Sequence, residues 1–100
     1  MNPQKEDILS YLYIKKSDFQ RSFNVIKLGL FGSYALNQQT EESDIDLLIE
    51  FAPNTDALAE KKEAIRQAVQ SAFGKNVDLC REKYIKPYLK NQILKSVIYV

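Results

Sequence analysis

Two stretches determine the fold of this chain, Leu28-Gly29-Leu30-Phe31-Gly32-Ser33-Tyr34 and Ser43-Asp44-Ile45-Asp46-Leu47-Leu48-Ile49-Glu50-Phe51. Each contains a short apolar run bounded by turn-forming residues, a pattern that predicts two buried strands. Because side chains two positions apart on a strand share a face, Asp44 and Asp46 are expected to point the same way. Neighbouring carboxylates repel, and burying one is costly without a partner. A hard divalent cation such as Mg2+, which prefers oxygen ligands, would remove that cost.

Length and composition predict one globular domain that spans residues 1–100. The chain has 45% hydrophobic and 27% charged residues, enough for a single modest core. Its net charge of +1 gives no case for general nucleic-acid binding, so nucleic acid is not expected as a direct substrate. No apolar run approaches the ~20 residues of a transmembrane helix, and no signal-peptide pattern opens the chain. We therefore expect a cytoplasmic protein without a membrane partner.

The histidine and cysteine content excludes several classes of catalytic site. The chain has no histidine, which removes His-dependent acid–base catalysis, Ser-His and Cys-His nucleophiles and His-liganded zinc. Cys80 is the one cysteine, so no intrachain disulfide can form, as expected in a reducing compartment. It lies in an apolar run and is interpreted as a small core residue rather than a nucleophile. Any chemistry must therefore use carboxylates, hydroxyls, amines and metal.

The N-terminal part of the chain is predicted to be helical up to the first strand. Apolar residues at helical spacing favour a helix from Glu6 to about Lys15. Ser17-Asp18 is typical of the cap of a second, short helix that ends near Asn24. The first strand is then Val25–Phe31, in which Gly29 allows another backbone to come close or marks a bulge.

Gly32-Ser33 ends this strand and is predicted to turn the chain into a short helix, from Tyr34 to about Asn37. A helix N-terminus after a glycine turn offers free N–H groups and a favourable dipole for phosphate. Ser33 can add a hydroxyl donor or simply cap the helix. Both interpretations stay open for the turn alone, and the aspartates at 44 and 46 favour phosphate.

The C-terminal half is predicted to alternate strands and helices. A strand–helix–strand unit of this length suits a right-handed crossover, which would lay the third strand beside or close to the second. The predicted elements are a strand at Asp44–Phe51 closed by Pro53, a helix capped by Thr55 or Asp56 that runs to about Phe73 and ends at a left-handed Gly74, a strand at Asn76–Cys80, a helix from Pro87 through about Leu94, and an edge strand at Ser96–Val100.

Three segments together resemble the signature of the polymerase-β-like nucleotidyltransferases, namely Gly32-Ser33-Tyr34, Ser43-Asp44-Ile45-Asp46-Leu47-Leu48-Ile49 and Asn76-Val77-Asp78-Leu79-Cys80. Within that superfamily the chain is most similar to the minimal nucleotidyltransferases of the MntA type, small proteins often paired with a HEPN-domain partner. The resemblance covers nearly the whole chain. It implies an α+β nucleotidyltransferase fold like the polymerase-β palm, with a small mixed β-sheet packed against α-helices.

The resemblance also implies the roles of the site residues. Asp44, Asp46 and Asp78 would be the catalytic carboxylates and would bind Mg2+, with two ions expected. Gly32 and Ser33 would hold the triphosphate of ATP, the expected substrate. Taken alone, Asp78 could instead be a strand-edge carboxylate that meets Lys75 or Arg81. One departure is that Leu36-Asn37 follows Ala35 where the family usually has Arg-Gly; Asn tolerates the left-handed backbone that such a turn needs.

The activity implied by the resemblance is transfer of AMP from ATP to a hydroxyl, with a tyrosine of a HEPN-family toxin as the acceptor. The chain would then be the antitoxin of a type VII-like toxin–antitoxin pair. A second interpretation is a binding module that neutralises a partner by complex formation, with weak or absent catalysis. A third is transfer to a small molecule, which so short a chain would support poorly. Carboxylate variants separate the first two, because only the enzyme would lose neutralisation with them.

Overall fold

The apolar runs of the sequence form a four-stranded mixed sheet that two long helices cover. The computed structural model describes residues 2–100, and the predicted α+β nucleotidyltransferase fold is confirmed. The elements are α1 (Lys5–Phe23), β1 (Val25–Phe31), β2 (Ile45–Phe51), α2 (Leu58–Phe73), β3 (Val77–Cys80), a 3-10 turn (Glu82–Tyr84), α3 (Pro87–Ser96) and β4 (Ile98–Tyr99).

Helix α1 is continuous, so the prediction of two helices divided at Ser17-Asp18 was wrong. The carboxylate of Asp18 pairs with Arg21 one turn later instead of capping a new helix. Gln4 and Asp7 form a reciprocal capping box at the start of α1. The helix ends at Asn24, whose φ of 61° is left-handed.

The sheet has the strand order β3-β2-β1-β4. Strand β1 pairs antiparallel with β2 on one side and with the short β4 on the other, which confirms the predicted edge strand with narrower bounds. Gly29 lies where β1 and β4 meet, opposite Tyr99. A Cβ at Gly29 would stand 3.1 Å from the backbone carbonyl oxygen of Ile98 and 2.8 Å from the Val97 side chain, so the close approach of another backbone predicted for this position is present.

Helix α2 carries the chain from β2 to β3, and these two strands are parallel neighbours, as the crossover predicts. The helix ends at Gly74, as predicted. Its start differs from the prediction, because neither Thr55 nor Asp56 caps it. The Thr55 hydroxyl donates instead to the Ala52 carbonyl, and the N-cap position is Ala57, in a left-handed conformation with φ 52°.

The core lies between the sheet and helices α1 and α2. Ile8 and Leu12 of α1 and Ile65 and Val69 of α2 are fully buried. The inward residues of β2 meet them, and burial of each such side chain contributes about 1.5–3 kcal/mol. The central strands are therefore fixed in place, and with them the positions of any side chains at their ends.

Helix α3 differs from the other two helices because none of its residues is buried. Tyr88 is 75% exposed on its outer surface. Pro87 occupies the first turn, where its missing N–H costs nothing. Within residues 2–100, no helix is both long and apolar enough to cross a membrane.

Candidate nucleotidyl-transfer site

The two central parallel strands bring two of the predicted carboxylates side by side. In the β2–β3 pairing, Asp46 lies directly opposite Asp78. Asp44 precedes the first residue of β2 by one position and is exposed to solvent. Residues directly opposite in neighbouring strands have their Cβ atoms close together. The sheet therefore gathers Asp44, Asp46 and Asp78 at one end of the strands.

Gly32 packs against the central carboxylate. It follows the last residue of β1, whose partner in the pairing with β2 is Asp46. A Cβ built on Gly32 would lie 2.2 Å from the Oδ2 atom of Asp46, and the φ of Gly32 is +78°. Both the space and the backbone conformation therefore require glycine at this position. Gly32 therefore places the turn that follows β1 next to the carboxylates.

The charge of Asp46 is destabilised in the folded protein. Burial, together with the negative charges of Asp78 and Asp44, raises the pKa of this carboxyl to about 6. These two causes identify Asp46 as the least solvated member of a cluster of like charges. A cation at the cluster would relieve both the desolvation and the repulsion.

Asp78 and Cys80 share a face of β3. The thiol of Cys80 donates a weak hydrogen bond of 3.8 Å to Oδ2 of Asp78. Burial, with the charges of Asp78 and Asp46, raises the pKa of the Cys80 thiol to about 11. A thiol held in its neutral form is a poor nucleophile, which agrees with the interpretation of Cys80 as a packing residue.

The three carboxylates have the chemistry of a divalent-metal site without a finished ligand geometry. Among residues 2–100, no group of three or more His, Cys, Asp or Glu side chains is already spaced to hold a metal ion. Burial and the neighbouring charges of Asp78 and Asp44 raise the pKa of Asp46, so the cluster carries an unfavourable charge when no cation is bound. An all-oxygen set with one half-buried, charge-strained carboxylate fits a hard cation such as Mg2+.

The segment after Gly32 is a run of turns rather than the predicted short helix. The Leu36 N–H donates to the carbonyls of Gly32 and Ser33, and the Gln38 N–H donates back to Ser33. The last residue of the turn is Asn37, whose φ of 57° bears out the expected left-handed backbone. The first N–H groups of such a turn have no partner inside it and are free for an anion.

A pocket that the sequence did not predict adjoins this turn. It has a volume of about 540 Å3 and lies between Gly32 and helix α3. Its lining is mostly apolar and comes from two distant segments, with Phe31, Leu36, Leu89, Gln92, Ile93, Lys95 and Ser96 around Gly32. No local motif marks these residues, since they meet only after the chain has folded. The one hint was Leu36, which stands where an arginine was expected.

A second pocket, of about 320 Å3, opens beside Asp78 between β3 and α2. Lys62 and Arg66 line it together with the carboxylate. Arg66 is held by Glu63 and Gln70, whereas Lys62 forms no ion pair with another residue among 2–100. The site therefore has an apolar pocket on the β1 side and a pocket of mixed charge on the β3 side, where Glu63 also belongs to the lining.

Comparison with known protein families gives one matching family. Residues 12–100 match the model of the nucleotidyltransferase domain. The chain is 38% identical over 96 residues to a Methanocaldococcus jannaschii protein provisionally named a protein adenylyltransferase, across 94% of this chain and 95% of that protein. It is 30% identical over 95 residues to the protein adenylyltransferase MntA of Thermococcus cleftensis, across 95% and 94% of the two chains.

Solved structures with the same fold give a consistent result. A structure provisionally described as a minimal nucleotidyltransferase superposes with a TM-score of 0.77 and 25% identity, across 96% of this chain and 95% of that one. A toxin–antitoxin crystal structure with AMP-PNP superposes with a TM-score of 0.64 and 26% identity, across 86% and 69% of the two chains.

Proposed function

The chain belongs to the nucleotidyltransferase domain family, and on that basis we propose that it transfers AMP from ATP to a protein hydroxyl. The observation that carries the proposal is the pairing of Asp46 with Asp78 across two parallel strands, with Gly32 packed against Asp46. This arrangement puts carboxylates beside a turn whose first N–H groups are free. Phosphate and metal chemistry needs these two elements next to each other.

The proposed roles follow from position in the sheet. Asp44 and Asp46 hold Mg2+ next to the triphosphate, and Asp78 completes the ligand set on the acceptor side. Bound Mg2+ neutralises phosphate charge and polarises the phosphoryl group under attack. The Gly32 N–H and the Ser33 hydroxyl bind the β- and γ-phosphates, which leave as pyrophosphate when the acceptor oxygen bonds to the α-phosphorus. Asp78 accepts the proton of the attacking hydroxyl, because it lies at the edge of the cluster and is exposed to solvent.

The acceptor is proposed from the relatives. Two of them have names that describe protein adenylyltransferases, and the AMP-PNP structure is of a toxin–antitoxin pair. We infer an acceptor tyrosine on a HEPN-domain toxin, with this chain as the antitoxin and residues 1–100 as one domain. The mixed-charge pocket beside Asp78, with Lys62 at its wall, lies on the side that we assign to the acceptor.

Label transfer tests the proposal. The protein is incubated with Mg2+, α-labelled ATP and lysate from its own source, beside an Asp44→Asn/Asp46→Asn variant. A Glu41→Gln/Glu42→Gln variant is the matched control, since it removes two exposed charges from the same acidic stretch but leaves the cluster intact. We expect a labelled protein band with the wild type and the control only. Mass spectrometry of that band would identify the acceptor residue.

Label that persists in the Asp44→Asn/Asp46→Asn variant would refute the carboxylate assignment. Label on a small molecule rather than on protein would refute the protein acceptor. If nothing is labelled, and the double variant still neutralises a toxin partner, the chain is a binding module rather than an enzyme in that pair. The metal requirement is tested separately by assaying EDTA-treated protein with and without added Mg2+.

A further inference from the structure

The apolar pocket beside the Gly32 turn has the dimensions and position of a ligand subsite. Its volume of about 540 Å3 is within the roughly 300–1,000 Å3 of small-molecule sites. It is bounded by the turn on one side and by Leu89, Gln92 and Ile93 of α3 on the other. It is also continuous with the carboxylate cluster, because Gly32 belongs to its wall and contacts Asp46.

We propose that this pocket receives the adenine ring of the nucleotide whose phosphates lie at the Gly32-Ser33 turn, and that Gln92 selects adenine over guanine. The inference rests on the proposed function, because it needs a nucleotide at the turn. It goes further by naming the residues that set the base preference.

The apolar walls suit the faces of a planar ring. Leu36 is 50% exposed and Leu89 is 38% exposed, although both border the same pocket. Apolar side chains that face each other across such a gap gain contact area when a ring fills it. An arginine at position 36 would put a charge into this space. Leucine instead keeps this wall of the pocket apolar, although Lys95 also lines the pocket, and this gives the departure from the family pattern a physical meaning.

The exposure of helix α3 also fits a ligand in this pocket. None of its residues is buried, so its inner face is only partly covered in the protein alone. A ring between Leu36 and Ile93 would bridge α3 and the turn and bury part of both. The exposure of α3 and the exposure of the two leucines therefore have the same explanation, which is the open pocket between them.

Gln92 supplies the polar recognition. It lines the pocket, and among residues 2–100 its side-chain amide has no hydrogen-bond partner, whereas the Ser96 hydroxyl is already bonded to the Ile93 carbonyl. A glutamine amide has both a donor and an acceptor, which match the N7 acceptor and N6 donor of adenine. Guanine has acceptors at both positions, so the amide oxygen would lose its partner.

The test measures binding rather than turnover. Dissociation constants for ATP, GTP and inorganic tripolyphosphate are measured by calorimetry in Mg2+ buffer for the wild type, Gln92→Ala and Leu36→Ala. The matched control is Asn91→Ala, which removes the neighbouring amide on α3 that does not line the pocket. Tripolyphosphate reports on the turn alone, because it has no base.

We expect Gln92→Ala to lower the ATP-to-GTP affinity ratio at least about fivefold, the lower end for a bidentate amide–adenine pair. Leu36→Ala should weaken ATP and GTP together and leave tripolyphosphate unchanged. Asn91→Ala should change nothing. Unaltered ATP binding and base preference in both pocket variants would overturn the inference and leave the proposed function standing.

Two further outcomes would also overturn it. If Leu36→Ala weakens tripolyphosphate as much as ATP, the residue supports the turn and does not contact a base. If the wild type binds neither ATP nor tripolyphosphate, the proposed function fails and the base pocket fails with it. Circular dichroism of each variant confirms that the fold is retained.

Discussion

Replacing Asp46 with asparagine should make the metal-free protein more stable at neutral pH, although it removes a proposed ligand. The carboxyl of Asp46 is half-buried beside Asp44 and Asp78, and its pKa is raised to about 6. Asparagine keeps the shape of the side chain and removes the charge. The variant therefore loses the cost of burying a charge and of its repulsion by the two neighbouring carboxylates, a common cost of functional groups.

The magnitude follows from proton linkage. The folded state holds a proton on Asp46 up to a pKa of about 6, whereas the ordinary value is 3.8. The wild type therefore loses stability as the pH rises from about 4 through 6, since the unfolded chain releases the proton first. The interval corresponds to about 3 kcal/mol at most. Solvent screening of this half-exposed group reduces the expected gain to about 1–2 kcal/mol at pH 7.5.

Urea unfolding at a series of pH values from 4 to 8, in buffer with EDTA, measures the effect. The difference in the free energy of unfolding between Asp46→Asn and the wild type should be small near pH 4, grow through pH 6 and then level off. Asp56→Asn is the control. The hydrogen bond and charge of Lys61 lower the pKa of Asp56, so its removal should give no gain.

Addition of Mg2+ should then reverse the order. The wild type gains stability from a ligand that binds the folded state, and the variant gains less. A variant that is no more stable than the wild type at pH 7.5, or whose advantage is the same at pH 4, would refute the assignment of Asp46 as the strained member of the cluster.

Three further predictions concern the surroundings of the site. Gly32→Ala should lower the melting temperature and abolish nucleotide binding, because its Cβ would stand 2.2 Å from the Asp46 carboxylate; Gly74→Ala, with open space around its Cβ, controls for the shared positive φ. Ala57→Gly should raise the free energy of unfolding by about 0.5–1 kcal/mol, since it relieves a left-handed alanine. Arg81→Gln should cost about 2 kcal/mol by removing the 2.7 Å partner of the part-buried Glu50, and a double-mutant cycle with Glu50→Gln should recover part of it.

The sequence was a good guide to the strands and to the order of elements. Buried strands have a strong signature, and Val25–Phe31 was predicted with the bounds that the structure has. The prediction that Asp78 would come close to Asp46 also held, because a crossover of this length leaves few alternatives. The nucleotidyltransferase family followed from the three segments that carry these residues.

Helix ends were predicted less well, because local signals compete there with tertiary packing. Asp18 is a good cap in isolation, but Phe19 directly after it is buried in the core, and the helix continues through both. Ala57 has no capping side chain, and its position is set by the chain path from β2. Nothing in the local sequence predicts a left-handed alanine.

The sequence predicted which residues form the candidate site, but it did not predict how those residues contact one another. The contact between Gly32 and Asp46, and the charge strain that it accompanies, depend on the register of β1 against β2. The pocket lined by Leu36 and Gln92 depends on where α3 lies after 50 further residues of chain. Long-range packing of this kind leaves no periodic pattern in the sequence.

The pairing of β4 with β1 also affects how the sheet is completed during synthesis. Tyr99 follows its partner Gly29 by 70 positions, and at about 5–20 residues per second the ribosome needs roughly 4–14 s to cover that distance. Throughout that time, the backbone edge of β1 that β4 will cover is open to other strands. For several seconds of synthesis the nascent chain therefore has an unpaired strand edge, which is covered only when the two-residue strand β4 has been made.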